Sequence, residues 1–230
     1  MTYNINIILY DFVSLQDFIM PLIRIEHIND NVSYGLWKIE ENADSLLKNA
    51  LLSKYETIEF KKIQHVKRQK EWLGARAALL ALCTAMNIKC EGTFKDENGK
   101  PHLIGVPWHI SIAHSFPYAV VLLNSQEPCG IDIEKAKPAL FDVSYRFLNE
   151  KELKQIPRDP QHLCAAWTAK EVLFKLHGRG KLSFKDNLLL SPYKIKDKGQ
   201  IEGHIKLDKE IGDYFLQYFQ LDDFIICHST

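Results

Sequence analysis

The apolar positions change rhythm several times along the chain, and each change marks an element. Residues 34–39, Tyr-Gly-Leu-Trp-Lys-Ile, follow the period of two that suits a half-buried strand. A short helix is expected over residues 44–52. From residue 58 to about 87 the pattern is helical, basic early (Lys61, Lys62, Lys67, Arg68, Lys70) and apolar later (Leu73, Ala77, Leu80, Met86). Asp96-Glu97-Asn98-Gly99 predicts a tight turn, because Asn and Gly both tolerate positive φ, and Lys100 sits just beyond it. Three strand-like segments, 108–112, 118–124 and 130–134, follow closely enough to read as an antiparallel meander. Two helices are expected next, 149–156 with Asn149 as N-cap and 161–176 ended by Gly178 and Gly180. Beyond Leu182 the chain returns to strands, notably 203–207, 214–219 and 224–228.

This order of strands and helices predicts an α+β protein of two comparable halves, 1–106 and 107–230, with the boundary near Pro107. Its 230 residues, 46% of them hydrophobic, suffice for a buried core. The 29 basic residues balance 29 acidic ones, so no global field points to nucleic acid or to an anionic membrane, and any anion site must be local. Five scattered cysteines, odd in number and without a CxxC pair, fit a reducing cytoplasm. The apolar run at 5–13 is short and interrupted by Asp11, which reads as neither a signal peptide nor a membrane span.

The candidate chemistry is carboxylate chemistry. In Gly130-Ile131-Asp132-Ile133-Glu134 the acids alternate with apolar residues, so on a strand Asp132 and Glu134 project from one face, roughly 7 Å apart. Two carboxylates on one face repel unless a cation lies between them, and a hard ion such as Mg²⁺ takes such ligands together with substrate phosphate. A strand with a solvated polar face is the plainer reading of the same pattern. In Trp167-Thr168-Ala169-Lys170-Glu171-Val172-Leu173-Phe174-Lys175, Glu171 and Lys175 share a helix face four residues apart. They are either an ordinary exposed pair or a metal ligand beside a charge that stabilises a phosphate. His114, in Ser111-Ile112-Ala113-His114-Ser115, is either a phosphate ligand or a histidine bonded to backbone. No Cys/His spacing supports zinc.

Taken together these segments resemble the Sfp-like, single-chain 4′-phosphopantetheinyl transferases. That family carries a GIDIE-like segment, here 130–134, a WxxKExxxK helix, here 167–175, and a segment ending in His-Ser, here His114-Ser115. It also shows a Gly-Lys-Pro triplet, here Gly99-Lys100-Pro101, and an Ala-Gly-Arg-like helical segment, here Gly74-Ala75-Arg76, all in the same order. The resemblance spans residues 67–182. It implies a pseudo-twofold fold of two similar α/β halves in one monomeric chain, with coenzyme A and Mg²⁺ in the cleft between them. By the same matching, Asp132, Glu134 and Glu171 correspond to the metal ligands, and Lys175 to the lysine that assists at the reacting phosphate. Arg76, Lys100, Pro101, His114 and Ser115 correspond to the coenzyme A site. The partner implied is an acyl or peptidyl carrier protein.

Two places depart from the family pattern. Ala113 stands where a polar residue usually precedes the histidine, and Lys67, Arg68 and Lys70 read equally as phosphate ligands or as a solvated helix face. The turn Gly178-Arg179-Gly180-Lys181 is a helix stop and lacks the spacing of a P-loop. The implied reaction is attack of a carrier serine on the β-phosphate of coenzyme A with release of 3′,5′-ADP, for which Glu171 is the candidate base. The alternatives are a different Mg²⁺-dependent phosphoryl transferase using the same three acids, and a non-catalytic module binding coenzyme A or carrier proteins. A lost metal ligand or lysine would suggest the second, and all of them being present disfavours it.

Overall fold

The computed structural model describes residues 22–178, 180–208 and 210–230; the apolar run at 5–13 and Arg179 lie outside them. Four antiparallel strands form the first sheet in the order β1 (Leu22–His27), β2 (Val32–Lys38), β6 (Tyr118–Asn124), β5 (His109–Ser115). Five form the second: β7 (Ile131–Lys135), β11 (Phe224–His228), β10 (Glu210–Leu221), β9 (Lys198–Leu207), β8 (Leu188–Leu190). A small hairpin, β3 (Thr93–Lys95) and β4 (Pro101–Leu103), stands apart. The helices are α1 (Ala43–Asn49), α2 (Lys54–Phe60), α3 (Val66–Ala85), α4 (Leu140–Phe147), α5 (Glu150–Gln155) and α6 (Pro160–Leu176).

Strand alternation sorts the core into layers. On β6, Ala119, Val121 and Leu123 pack with Leu73, Ala78 and Leu82 of α3. Their neighbours Tyr118, Val120 and Leu122 turn the other way, to meet Ile131, Ile133, Phe224 and Ile226 of the second sheet. On β11, Ile225 and Cys227 then face Leu163, Ala166 and Ala169 of α6. The result is an α+β arrangement in which each sheet is backed by one long helix and the two sheets pack on each other. Every residue of β6 is buried because both faces of its sheet are covered.

Local signals explain the helix ends. Asn149 and Glu152 form a reciprocal capping box at the start of α5, as the sequence predicts for Asn149. Asp159 caps α6 by accepting from the His162 N–H at 3.0 Å, Pro160 follows, and Gly178 ends that helix region at φ +91°. In the 96–99 turn only Gly99 takes positive φ, +77°, and strand pairing resumes at Lys95 and Pro101, so a five-residue loop replaces the expected two-residue one.

Two expectations change. The helical pattern over 58–87 is two helices, broken at residues 61–65, and the break brings the Phe60 ring to 5.6 Å from Trp72. A continuous helix would separate those rings by roughly 18 Å of axial rise. The meander over 108–134 does not form, because β2 and β5 occupy both edges of β6, and β7 pairs with β11 instead. By hydrogen bonding the sheets change over between Asn124 and Ile131, so β5 and β6, which follow residue 107, belong to the first sheet. No helix among the described residues is long and apolar enough to cross a membrane.

Candidate active site

Segments from both sheets border a cavity of about 760 Å³, within the roughly 300–1,000 Å³ usual for ligand sites. Helix α3 contributes Arg68, Trp72 and Arg76, four residues apart and therefore on one face. β5 contributes Ala113 and His114, β7 contributes Asp132, and α6 contributes Lys175. Lys62, Arg68, Arg76, Lys95 and Lys175 give this wall five cations against two carboxylates, Glu59 and Asp132. In a chain with balanced charge that excess is local, and it suits an anionic ligand.

The innermost polar contact joins β7 to α6. Ile131 and Ile133 enter the core between the sheets, so alternation turns Asp132 toward α6. There the Lys175 Nζ donates to Asp132 Oδ1 at 2.8 Å, to the Ile131 carbonyl at 2.7 Å and to the Ile112 carbonyl at 3.4 Å. All three ammonium hydrogens thus have protein acceptors, which leaves the charge of Lys175, rather than a free N–H, to face the cavity. Burial raises the pKa of Asp132 above the usual carboxylate range; the Lys175 charge opposes this and the Glu134 charge adds to it. The close approach of strand and helix depends on Gly130, where a Cβ would lie 2.6 Å from the Val172 carbonyl oxygen.

Glu134 is half-buried at the end of β7, where its Oε1 accepts from the Ser115 hydroxyl at 3.4 Å and pairs with Lys137 at 3.3 Å. Glu171 lies on α6, four residues before Lys175. Neither Glu134, Glu171 nor Ser115 is among the described residues that line the cavity. His114 lines it, with Nδ1 3.8 Å from Glu71 Oε2. Burial holds His114 below the ordinary histidine range, Glu71 opposes this, and the charges of Lys175, Arg76 and Arg68 reinforce it. Pro101 borders the cavity, whereas Lys100, beside it in the hairpin loop, does not. Of Lys67, Arg68 and Lys70, Arg68 lines the cavity, whereas Lys67 and Lys70 lie 5.5 and 5.4 Å from the Phe116 ring.

Arg76 is held on two sides. Its Nε donates to Glu56 Oε1 at 3.1 Å, and its guanidinium stacks 3.6 Å from the Trp72 ring. Burial lowers its pKa and the Glu56 charge restores part of the loss. Sequence reasoning missed Glu56, Glu59, Trp72 and Lys95. The four-residue spacing of Arg68, Trp72 and Arg76 was a usable signal for the α3 wall, whereas Glu56 and Lys95 reach it only through the tertiary fold.

Among the described residues no three His, Cys, Asp or Glu side chains stand close enough to hold one metal ion. The three acids are therefore not a ready-made cage. Their donor chemistry nevertheless fits Mg²⁺, which uses one or two carboxylates and completes its shell with water and substrate phosphate.

The model of the 4′-phosphopantetheinyl transferase superfamily matches residues 128–226. The chain is 34% identical over 132 residues to the 4′-phosphopantetheinyl transferase Sfp of Bacillus subtilis strain 168, covering 55% of this chain and 56% of that protein. It is 28% identical over 135 residues to another 4′-phosphopantetheinyl transferase of Bacillus subtilis, covering 55% and 57%. A third, the transferase psf-1 of Bacillus pumilus, is 33% identical over 89 residues, covering 36% and 38%. These matches span about half the length of the first two relatives or less. The family model's match, residues 128–226, takes in β7, α6 and the second sheet, the part of the chain that carries Asp132, Glu134, Glu171 and Lys175.

Proposed function

We propose that this chain is a 4′-phosphopantetheinyl transferase that moves phosphopantetheine from coenzyme A to a carrier-protein serine and releases 3′,5′-ADP. The observation that carries this reading is a cation-lined cavity reaching from the α3 wall to the buried Lys175–Asp132 pair within the family-matched segment. Coenzyme A is a polyanion, and phosphoryl transfer is catalysed chiefly by positioning and by neutralising spreading negative charge. Arg76, His114 and Lys100 are assigned to the adenosine and its 3′-phosphate, with Pro101 beside Lys100 on the hairpin and Ser115 after His114. Lys175 supplies positive charge at the transferring phosphate. Glu171 takes the proton from the serine hydroxyl as its oxygen attacks the β-phosphorus, and the bond to the 3′,5′-ADP oxygen breaks.

Asp132, Glu134 and Glu171 are the residues that would hold Mg²⁺, which supplies charge neutralisation at the pyrophosphate when bound. We further assign the acceptor to the acyl or peptidyl carrier class, the working form to a monomer of two halves, and the location to the cytoplasm. The test is intact-mass spectrometry of apo carrier proteins incubated with this protein, coenzyme A and Mg²⁺. One added phosphopantetheine per carrier, lost with EDTA and restored by Mg²⁺, is expected. Turnover without carrier labelling, or binding of coenzyme A without transfer to any carrier class, overturns the reading.

A further inference from the structure

Glu56 is 1% exposed and does not line the cavity, yet its carboxylate is a junction of three elements. Oε2 accepts from the Ser53 N–H at 3.1 Å at the start of α2. Oε1 accepts from the Thr93 hydroxyl at 2.7 Å, on the β3–β4 hairpin, and from Arg76 Nε at 3.1 Å, on α3. The same hairpin carries Lys95 and Pro101 to the cavity, and α2 carries Glu59, which pairs with Lys95 at 2.9 Å. One buried carboxylate thereby sets α2, the hairpin and α3 in register around one end of the site.

Its effect on Arg76 is directional. A guanidinium has five N–H donors in a rigid plane. The bond from Nε to Glu56 and the stack on Trp72 fix that plane and consume a single donor, while Arg76 itself lines the cavity. We infer that Glu56 is a positioning residue: it never touches the ligand, but it aims the terminal nitrogens of Arg76 so that the site selects a phosphomonoester on the bound nucleotide. This rests on the coenzyme A reading above, in which Arg76 meets the 3′-phosphate. A merely electrostatic role has the opposite sign, because a buried anion beside Arg76 weakens the attraction for phosphate, and removing its charge would tighten binding.

The test is calorimetric binding of adenosine 3′,5′-bisphosphate and adenosine 5′-monophosphate to the whole chain and to two variants. The unaltered protein is expected to prefer the bisphosphate. Glu56→Ala should cut that preference by about tenfold, the loss of one oriented charged hydrogen bond, with monophosphate affinity little changed. Glu56→Gln, which keeps an acceptor for Arg76, should hold the preference within about threefold of the unaltered protein. A preference undiminished in Glu56→Ala, or an equal loss for both nucleotides, overturns the inference. So does a bisphosphate preference in Glu56→Gln that rises by more than about threefold, which decides the matter even if Glu56→Ala does not fold. An unaltered protein with no preference for the bisphosphate overturns the coenzyme A reading first, and the role of Glu56 with it.

Discussion

Lys175 Nζ lies 2.8 Å from Asp132 Oδ1, and this buried pair is a direct side-chain link between α6 and the strand that carries the acidic segment. Removing one partner leaves the other charged, buried and unpaired. Lys175→Met should therefore lower stability by about 3–5 kcal/mol. Asp132→Asn combined with Lys175→Met should recover part of that loss, with a coupling of about 0.5–3 kcal/mol, because the anion is gone. Urea unfolding of the two single variants and the double variant measures it. Strict additivity would show that the two groups do not depend on each other.

Gly130 tests the same seam sterically. Its absent side chain leaves room for the Val172 carbonyl, which a Cβ would approach to 2.6 Å, and backbone cannot swing aside as a side chain can. Gly130→Ala should cost about 1–3 kcal/mol through overpacking and should lower carrier labelling by shifting Asp132 away from Lys175. A variant with unaltered melting and labelling would mean that the seam tolerates a wider spacing.

How much of this was legible in the sequence varied with the range of the interaction. The caps of α5, the glycine stop after α6 and the alternation of 130–134 are signals within a few residues, and each appears where the sequence predicts it. The break at 61–65 contains neither proline nor glycine, and it exists because Phe60 and Ile63 pack with the α3 core. Helix α4 was missed because its eight residues, with Ser144 buried and Tyr145 exposed, carry too short a period to stand out. At the site, spacing foretold that Asp132 shares a strand face with Glu134 but not that Lys175 would fill the space beside it, since nothing local joins positions 132 and 175.

Acid should weaken the fold through histidines whose pKa the fold lowers. Burial lowers the pKa of His228, His109 and His114 below that of an exposed histidine. Between the folded and unfolded pKa values the unfolded chain binds more protons, so stability is fully present above about pH 6.5 and falls as pH drops through the folded values. His228 is the most enclosed of the three, with Nδ1 2.9 Å from the Ser229 carbonyl. His228→Gln should therefore lose less stability than the unaltered protein between pH 7.5 and pH 5.5 in urea titrations. An equal loss would assign the acid sensitivity to other groups.

Lys170, inside the WxxKExxxK helix, offers a contrast with Lys175. It is fully buried, and its Nζ donates to Glu152 Oε2 at 2.7 Å and to the carbonyls of Phe147 and Phe184, each at 2.8 Å. Glu152 in turn accepts from the N–H groups of Asn149 and Leu190. Lys170→Met should cost about 3–5 kcal/mol, as for other broken buried pairs. Here, however, Lys170→Met with Glu152→Leu should recover little, because the double change orphans two carbonyls and two N–H groups that were satisfied only by the pair. A double variant as stable as the unaltered protein in urea unfolding would show that α4, α5 and the 184 loop repack without this junction. The loss predicted instead would make Lys170 the anchor that fixes where Glu171, its neighbour on α6, emerges.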